Sequence, residues 1–362
     1  MSARPILIMA GGTGGHVFPA LALARLLRQG SHAVLWLGTR RGLEARVVPA
    51  EHIPIEWLSV GGLRGKGTLT LLAAPFRLVL ALGQALRVVW RHRPLAVVGL
   101  GGFVSGPGGL AAWLLRRPLL IHEQNAVAGF TNRVLAHLAR EVLEAFPGSF
   151  GPAVRARTIG NPVREDIIAL AEPGERFAAR GGPIRVLVIG GSQGAARLNA
   201  VVPQALAQLR PAAPLDVWHQ AGARGLEDAQ RAYAESAVPA RVDAFIEDMA
   251  GAYGWADLVI CRSGALTVSE LAAAGLGAIL VPFPAAVDDH QSANARYLVS
   301  AGAAVLIADR ELTAERLARE LRGLVAARAP LLAMAERARA LARPRATQEL
   351  AAACLGLLER TA

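Results

Sequence analysis

Polar side chains able to bind a phosphorylated sugar cluster late in the chain. A strand predicted at Leu258–Cys261 is followed by an Arg-Ser-Gly turn and a helix predicted at Ala265–Ala274. The first backbone amides of such a helix are free to bind an anion. Glu270, Gln291 and Asn294 follow near the carboxyl ends of adjacent strands, where open α/β sheets bind ligands. The set suits a nucleotide sugar, with pyrophosphate on the helix start, ribose on the carboxylate and the sugar on the amides.

A histidine suited to proton transfer follows a glycine turn near the start of the chain. The pattern predicts a strand at Ile6–Ala10, the turn Gly11–Gly15 and a helix from about Val17 to Leu27. A dinucleotide is disfavoured because the third fingerprint glycine is missing and the next strand, Ala33–Leu37, ends without an acidic residue. His16, directly after the turn, is better placed for chemistry than for packing. The alternative is a solvated or structural histidine.

Composition limits the class of protein. The 362 residues suit two domains, and 53% hydrophobic residues are enough for two cores. The net charge of +11 indicates either an anionic partner or the arginine bias of a genome, since Lys66 is the only lysine. Two cysteines, Cys261 and Cys354, cannot build a disulfide framework. The apolar run Pro94–Leu115 contains seven glycines and prolines in its loop, so no segment is expected to span a membrane.

The chain repeats one pattern twice, which predicts its fold class. A strand–glycine turn–helix unit opens the first half, and a second begins with the strand Ile184–Ile189 and the turn Gly190–Ala195. Gly160–Arg164 contains an Asn-Pro turn and is the predicted hinge. We therefore expect an α/β protein with two Rossmann-like domains that face each other across a cleft. The last amphipathic helix is predicted at Ala346–Glu359.

Two loops and one long helix in the first half have no use in binding a nucleotide. Val60–Gly67 is a basic glycine loop, and Gly101–Gly109 is a second glycine loop between a predicted strand and helix. The helix predicted at Thr68–Trp90, with a kink at Pro75, is apolar and edged by arginines. It either lies in a bilayer interface or packs on the sheet.

Nine short segments occur in an order and spacing that resembles the MurG family, the UDP-N-acetylglucosamine transferases that act on a lipid-linked muramyl-pentapeptide. The segments are GGTGGHVFPALALA, GLRGKG, GGFVSGPGG, HEQNAVAGFTN, GNPVR, GGSQGA, FIEDMA, CRSGALTVSELAAAG and DDHQSANA. The resemblance runs from about Ile6 to Asn294. Each motif alone is a weak signal, but nine in register are specific.

The resemblance implies a GT-B fold and a set of site residues. The implied domains are an acceptor- and membrane-facing domain at 1–161, a UDP-sugar domain at 162–340 and a C-terminal helix at 341–362 that returns to the first domain. The expected donor site comprises Thr13, Gly14, Gly15, Asn125, Arg164, Ser192, Ile246, Ala265, Leu266, Thr267, Glu270 and Gln291. The expected acceptor site comprises Arg64, Lys66, Phe103, Ser105 and Asn132. Phe103 stands where many members have tyrosine, so a hydroxyl there is not essential.

The implied reaction is an inverting transfer of N-acetylglucosamine from UDP-GlcNAc to the muramyl O4. The chain contains no Asp-x-Asp, so we expect no catalytic metal, and no other cofactor is indicated. Helix-start amides would then stabilise the leaving UDP. The attack needs a general base, for which His16 is the candidate, with His122 and Glu123 behind it. The lipid acceptor implies an anionic membrane surface as a partner and a peripheral location on the cytoplasmic face of the membrane.

Three other hypotheses about the function are consistent with parts of the sequence. A UDP-GlcNAc 2-epimerase-like enzyme shares the fold but has no use for the two acceptor loops. A PLP-dependent phosphorylase needs a Schiff-base lysine, and Lys66 on its glycine loop is a poor candidate. A basic nucleic-acid- or membrane-binding protein would explain the charge. It would not explain the polar residues at strand ends, and the arginines lack the aromatic interleaving of a nucleic-acid groove, so no nucleic acid is expected.

Overall fold

The computed structural model describes residues 4–59, 74–190, 195–209, 214–284 and 289–360. The predicted basic loop with Arg64 and Lys66, and the predicted donor residue Ser192, lie outside the described residues. The chain divides into two units. The first consists of Met1–Pro162 with Pro344–Ala362, and the second of Val163–Arg343. These divisions fall close to the predicted boundaries after residues 161 and 340.

The first unit is built on a seven-stranded parallel sheet. Its strands are β1 (Ile6–Met9), β2 (Val34–Gly38), β3 (Ile55–Trp57), β4 (Val97–Gly99), β5 (Leu119–Glu123), β6 (Glu141–Glu144) and β7 (Arg157–Thr158). Their order is β3-β2-β1-β4-β5-β6-β7. Ile8 of β1 pairs with Trp36 of β2 on one side and with Val98 of β4 on the other. All four residues of β1 are buried, as expected for a parallel strand covered on both faces.

Helices cover both faces of this sheet. They are α1 (Gly14–Gln29), α2 (Glu44–Ala50), α3 (Ala74–His92), α4 (Ser105–Leu114) and α5 (Phe130–Leu135). Ile6 and Ile8 of β1 belong to the core that contains α1 and α2. Leu7 and Met9, which point to the opposite face, belong to the core that contains α3, α4 and α5.

The second unit repeats the plan with six parallel strands. They are β8 (Ile184–Ile189), β9 (Leu215–Gln220), β10 (Arg241–Asp243), β11 (Leu258–Cys261), β12 (Gly277–Leu280) and β13 (Ala304–Leu306), in the order β10-β9-β8-β11-β12-β13. Its helices are α6 (Glu165–Ile168), α7 (Pro173–Ala178), α8 (Ala196–Ala207), α9 (Leu226–Glu235), α10 (Met249–Trp255), α11 (Ala265–Ala274), α12 (His290–Val299), α13 (Ala314–Leu324) and α14 (Arg328–Ala340), with a short 3-10 turn at Asp309–Glu311.

The last helix, α15 (Ala346–Glu359), belongs to the first unit although it follows the second in the chain. Its buried residues Leu350, Cys354 and Leu357 join the core on the α1 side of the first sheet. Burial of three such side chains stabilises the contact by several kcal/mol, at roughly 1.5–3 kcal/mol for a fully buried leucine. The C-terminal helix is therefore part of the first unit's core.

Several elements differ from the sequence-based expectation. α1 begins at Gly14 rather than Val17, so the second half of the glycine turn is helical. Pro330 lies in the first turn of α14, where proline is tolerated. Pro75 likewise lies in the first turn of the described α3. In the described part of the chain, no helix combines the length and apolar composition needed to cross a bilayer.

Candidate active site

The glycine turn after β1 forms the start of α1. Thr13 is the N-cap in an extended conformation, and its side chain makes no capping hydrogen bond. Gly12 has a φ of +94°, a conformation that favours glycine. Gly14, Gly15 and His16 therefore occupy the first helical turn, at the carboxyl edge of the sheet. A helix start without a side-chain cap can bind an anion through its amides.

Glu44 holds the glycine turn in place, and the sequence-based reasoning missed it. The side chain is fully buried, and Gly12 donates its backbone N–H to Oε2 at 2.9 Å. Thr39 donates to Oε1 from both its backbone N–H (2.9 Å) and its hydroxyl (2.8 Å). A dinucleotide-binding protein would use an acid in this region for a ribose. Here the Glu44 carboxylate accepts hydrogen bonds from Gly12 and Thr39, so it is not available to hold the ribose of a dinucleotide.

His16 lies half-buried over the loop after β4. Its Nδ1 is 3.0 Å from Oε1 of Gln124, the glutamine of the HEQN segment. A side chain at Gly101 would place its Cβ within 2.6 Å of the imidazole ring, and Gly101 has a φ of +105°. Gly102 is similarly close to the backbone of Gly11. The two glycine loops can therefore pack closely on each other and on the imidazole because Gly101 and Gly102 have no side chains at the contact.

His122 lies deeper in the same unit and cannot reach a substrate. It is fully buried, its Nε2 is 2.9 Å from the carbonyl oxygen of Gly160, and its Nδ1 is 3.2 Å from Nε2 of Gln124. Burial lowers the pKa of His122 to about 4. Both nitrogens are occupied, so the structure gives this fallback base a positioning role.

Glu123 is also committed to internal hydrogen bonds. Its carboxylate accepts from the backbone N–H and the side-chain amide of Asn125, at 2.9 and 3.1 Å. It accepts further from the backbone N–H of Gly129 (3.2 Å) and from Nδ2 of Asn132 (2.8 Å). Four donors occupy a carboxylate that is 3% exposed. Glu123 therefore organises the loop from 124 to 132 and is poorly placed to act as a base.

The predicted acceptor residues are divided between surface and interior. Phe103 is 54% exposed at the tip of the glycine loop. Ser105 is fully buried, and its hydroxyl donates to the carbonyl oxygen of Gly101 at 2.9 Å and accepts from the Gly101 N–H at 3.1 Å. Asn132 is buried beneath Glu123. Ser105 and Asn132 thus shape the loops of the first unit, and of the three described residues only Phe103 presents a side chain to solvent.

In the second unit, the start of α11 has the geometry expected of an anion site. The helix begins after Gly264, an extended N-cap with no side-chain capping bond, and ends at Gly275 in the left-handed conformation. Ser263 is buried behind the helix start, where its hydroxyl donates to the backbone carbonyl of Gln291 at 2.8 Å. Asn294 donates from Nδ2 to the Ser263 carbonyl at 3.2 Å. The start of α11 therefore has no side-chain cap, which is the arrangement at which helices bind anions.

Glu270 is held one and a half turns into α11. The hydroxyl of Tyr253, itself 1% exposed, donates to Oε2 of Glu270 at 3.0 Å. Burial raises the pKa of Glu270, while the Tyr253 hydrogen bond and the nearby charge of Arg164 oppose that shift. Its other oxygen, Oε1, has no protein hydrogen bond among the described residues. A carboxylate with one fixed and one free oxygen can accept hydrogen bonds from a pair of sugar hydroxyls.

The remaining predicted donor residues of this unit surround the same strand ends. Gln291 accepts the backbone N–H of Phe283 on its Oε1 at 2.8 Å, which leaves its Nε2 to act as a donor. Arg164 is half-exposed at the start of α6, which packs against α11. Ala265 and Ile246 are buried, and Leu266 and Thr267 are half-buried in the first turn of α11. Asp289 is the N-cap of α12, but its carboxylate accepts from the Ser292 hydroxyl and makes no capping bond to the helix backbone.

Two further polar groups of the second unit were missed from the sequence. Arg262 donates to the carbonyls of Val281 (3.1 Å) and Pro282 (3.2 Å) and to Asp309 (2.6 Å), which ties the end of β11 to the end of β12. His219 is buried between the Tyr233 hydroxyl (2.9 Å) and Oδ1 of Asn199 (3.1 Å). Arg262 lies in the CRSGALTVSELAAAG segment and His219 lies outside the nine segments, and only the tertiary structure shows their partners.

Comparison with protein-family models matches both halves of the chain. Residues 6–144 match the glycosyltransferase family 28 N-terminal domain, and residues 185–350 match the glycosyltransferase family 28 C-terminal domain. A protein of Nitrosococcus oceani is 60% identical over 350 residues, which cover 97% of this chain and 98% of that relative. It is named UDP-N-acetylglucosamine–N-acetylmuramyl-(pentapeptide) pyrophosphoryl-undecaprenol N-acetylglucosamine transferase. The chain belongs to the MurG family of glycosyltransferases. A Marinobacter nauticus relative of the same name is 58% identical and has similar coverage.

Solved structures agree with this membership. The crystal structure of MurG from Acinetobacter baumannii superposes with a TM-score of 0.88 at 44% identity, covering 98% of this chain and 99% of that one. The calicheamicin glycosyltransferase CalG4 superposes with a TM-score of 0.68 at 19% identity, which shows a shared fold alone. The predicted GT-B fold, with a parallel sheet in each half, is confirmed.

Proposed function

We propose that this MurG-family chain transfers N-acetylglucosamine from UDP-GlcNAc to the muramyl O4 of undecaprenyl-pyrophosphoryl-MurNAc-pentapeptide, with inversion at the anomeric carbon. The observation that carries this proposal is the 60% identity, over nearly the whole of both chains, to a relative named for that activity. The described site residues are consistent with it, because they supply an anion site, a sugar-hydroxyl acceptor and a potential base.

The second unit would bind the donor. The start of α11, which has no side-chain cap, would face the pyrophosphate of UDP-GlcNAc, with Thr267 in its first turn. Glu270 accepts the two ribose hydroxyls on its free oxygen, and Gln291 donates to the sugar. The backbone at Ile246 recognises the uracil edge, and Arg164 adds positive charge beside Glu270. Ser192, which lies outside the described residues, would complete the set of donor contacts.

The first unit would supply the base and the acceptor contacts. Thr13, Gly14 and Gly15 at the start of α1, and Asn125 after β5, would add contacts to the UDP-GlcNAc donor. His16 is the half-exposed imidazole between them, so it is the group we assign to proton transfer. Arg64, Lys66 and Phe103 are assigned to the acceptor, with Ser105 and Asn132 holding the loops that present it.

The chemical step follows from these roles. His16 removes the proton from the muramyl O4 hydroxyl as that oxygen attacks the anomeric carbon of the donor. The new O4–C1 bond forms on the face opposite to the phosphate, and the C1–oxygen bond to UDP breaks with its electron pair going to the phosphate. The helix-start amides stabilise the charge that develops on UDP, because fixed dipoles need no reorganisation. The proton taken up by His16 is released to solvent after the product leaves.

The acceptor requires the enzyme to work at a membrane surface, and the start of α3 is the segment we assign to that contact. Residues 75–80 are all exposed over more than one and a half helical turns, with Phe76 at 74% and Val79 at 69%. From Ala81 onward the helix packs on the sheet through Ala85, Val88 and Val89. Apolar side chains on every side of a helix end suit insertion into the headgroup boundary, with neighbouring arginines on anionic lipid. The proposed location is therefore peripheral, on the cytoplasmic face.

Incubation with radiolabelled UDP-GlcNAc and a polyprenyl-pyrophosphoryl muramyl-pentapeptide tests the function. The expected result is label in the lipid product and one UDP released for each sugar transferred. Conversion of UDP-GlcNAc to its 2-epimer without acceptor would instead favour the epimerase alternative. Binding of the chain to nucleic acid, with no turnover of any UDP-sugar, would favour the non-enzymatic one.

A further inference from the structure

A continuous series of hydrogen bonds in the first unit connects the backbone of Gly160 to the side chain of His16. It begins at the carbonyl oxygen of Gly160, passes through His122 and Gln124, and ends at Nδ1 of His16. Gln124 and His122 are 1% and 0% exposed, so water does not compete for the bonds of His122. Each link has one donor and one acceptor, and the direction of the whole series can be worked out from its ends.

The first end is fixed by a backbone carbonyl, which can only accept. Because Gly160 O accepts, the Nε2 of His122 must carry a hydrogen. Burial lowers the pKa of His122 to about 4, so near neutral pH the ring carries one hydrogen only. The Nδ1 of His122 is therefore a lone-pair acceptor, and the group that faces it must donate.

The amide of Gln124 is oriented by the same logic. Its nitrogen lies 3.2 Å from Nδ1 of His122 and 3.3 Å from the carbonyl oxygen of His122, and both of these atoms are acceptors. Its oxygen therefore points the other way, to Nδ1 of His16 at 3.0 Å. Asn161 donates to the Gln124 backbone carbonyl at 3.0 Å, which holds the main chain in place. An amide oxygen accepts, so Nδ1 of His16 must donate.

We propose that Gln124 and His122 are positioning residues that hold His16 in the tautomer with hydrogen on Nδ1 and the lone pair on Nε2. The lone pair then lies on the ring atom away from the buried series, where it can take the proton of the acceptor hydroxyl. After the transfer, Gln124 still accepts from Nδ1 of the imidazolium, so its hydrogen bond persists in both charge states. The inference rests on the proposed role of His16 as the base. A base oriented by a third group is a general device of nucleophile activation.

Two substitutions at Gln124 test its hydrogen bonds to His16 and to His122 separately. Gln124→Met keeps the length of the side chain but removes its three hydrogen bonds, one to His16 and two to His122. Gln124→Glu keeps an acceptor for Nδ1 of His16 and loses the donor to His122. Gln124→Met should lower kcat by roughly 10- to 100-fold with little change in the KM for UDP-GlcNAc, and Gln124→Glu should recover part of that loss. Gln29→Met, at the exposed far end of α1, is the control for methionine itself and should retain wild-type kcat.

Nitrogen NMR of histidine-labelled protein reads the tautomer without any turnover. The signals of His16 are assigned by their absence from His16→Ala. In the wild type they should show hydrogen on Nδ1 and a bare Nε2, and the same pattern should persist in Gln124→Glu. Gln124→Met should show a mixture of tautomers. Because the wild-type spectrum needs no substitution at Gln124, the test stands even if one variant folds poorly.

Three results would overturn the inference. The first is a wild-type His16 with its hydrogen on Nε2. The second is wild-type kcat in Gln124→Met beside an impaired His16→Ala, which would leave the base assignment intact. The third is wild-type kcat in His16→Ala, which would remove the base itself and this inference with it.

Discussion

The two halves of the molecule share a parallel-sheet plan but treat the loops at their strand ends in opposite ways. In the first unit, the buried carboxylates Glu44 and Glu123 accept three and four hydrogen bonds from their own loops. In the second unit, the start of α11 has no side-chain cap, and among the described residues Glu270 has one protein donor, Tyr253. Glu44 and Glu123 of the first unit are therefore satisfied internally, whereas Glu270 of the second keeps one oxygen without a protein hydrogen bond in the described part of the chain.

The same parallel-sheet architecture can therefore serve two tasks, proton transfer and ligand binding. A group that transfers a proton must be held in one orientation before substrate arrives, and saturated loops provide that rigidity. A group that binds a charged ligand must keep its hydrogen-bonding capacity, and it stays under-satisfied until the ligand binds. We therefore assign chemistry to the first unit and donor affinity to the second, and the predictions that follow separate these roles.

The largest expected effect is on turnover, from the first unit. His16→Ala removes the proposed base and should lower kcat by roughly 10²–10⁴-fold, with a much smaller change in donor affinity. Steady-state kinetics with a lipid-linked acceptor measure it. The control is His32→Ala, which changes a histidine in the turn after the same helix and should leave kcat unchanged. Near-wild-type kcat in His16→Ala would break the proposed division of roles.

The next effect is on donor binding, from the second unit. Glu270→Ala should raise the KM for UDP-GlcNAc about 10²-fold, equivalent to about 2–3 kcal/mol for a lost charge-assisted hydrogen bond. Glu175→Ala, on the exposed surface of the same unit, is the matched control. Unchanged donor kinetics in Glu270→Ala would exclude the residue from the ribose site.

The raised pKa of Glu270 adds a pH dependence with a definite sign. Its folded-state pKa lies above the unfolded value because burial disfavours the charged form. Ionised Glu270 therefore costs stability at neutral pH, and that cost disappears as pH falls through the folded pKa. Donor binding has the opposite dependence, since the ribose needs the carboxylate. Glu270→Gln should thus raise the melting temperature slightly while it weakens the binding of UDP-GlcNAc. A lower melting temperature together with weaker binding would contradict this role of Glu270.

Acid should destabilise both halves through buried neutral histidines. Burial lowers the pKa of His122 and of His219 to about 4, below the unfolded value of 6.5. The unfolded chain therefore takes up protons that the folded chain does not, and stability falls as pH drops from about 6.5 towards 4. At pH 5 the loss is about 2 kcal/mol for each histidine. Urea unfolding at pH 7 and pH 5 measures it, and equal stability at both values would contradict the burial of these rings.

A smaller effect concerns the membrane contact. Replacing Phe76 and Leu80 with serine should weaken binding to anionic vesicles about 10-fold, since each substitution removes an exposed apolar side chain. The fold should be unaffected, and wild-type binding should weaken in high salt. Trp90→Ser, at the other end of α3, is the control and should bind like the wild type. If Trp90→Ser weakens binding and the double variant does not, the contact lies at the opposite end of the helix.

The smallest expected effect is that of chelation. Because helix-start amides are assigned to the leaving UDP, activity should survive EDTA, with a modest gain from added Mg²⁺ through the free pyrophosphate. Complete loss on chelation, restored by Mg²⁺ or Mn²⁺, would contradict that assignment.

Sequence patterns predicted the fold well where one physical signal was sufficient. The strand Leu258–Cys261, the helix Ala265–Ala274 and its glycine stop are found at the predicted residues, because a short apolar run and a left-handed glycine are local signals. The start of α1 was missed by three residues, since glycines at a helix start carry no propensity for it.

The roles of the polar residues could not be read in the same way. Glu123 and His122 occur in a motif typical of a site, but only the tertiary structure shows that their hydrogen bonds are used internally. Glu44 lies outside every motif, although it holds the glycine turn. A residue type indicates which chemistry is available, whereas burial and partners decide whether a substrate can use it.

Calorimetric binding of UDP-GlcNAc to His16→Ala and Glu270→Ala, beside single-turnover transfer by the same samples, tests the division of roles most directly. We expect His16→Ala to bind the donor like the wild type but to transfer at least 10²-fold more slowly. Glu270→Ala should bind the donor about 10²-fold more weakly and, with donor at saturation, should transfer at close to the wild-type rate. Equal loss of donor affinity in both variants, or normal transfer by His16→Ala, would contradict this division of roles.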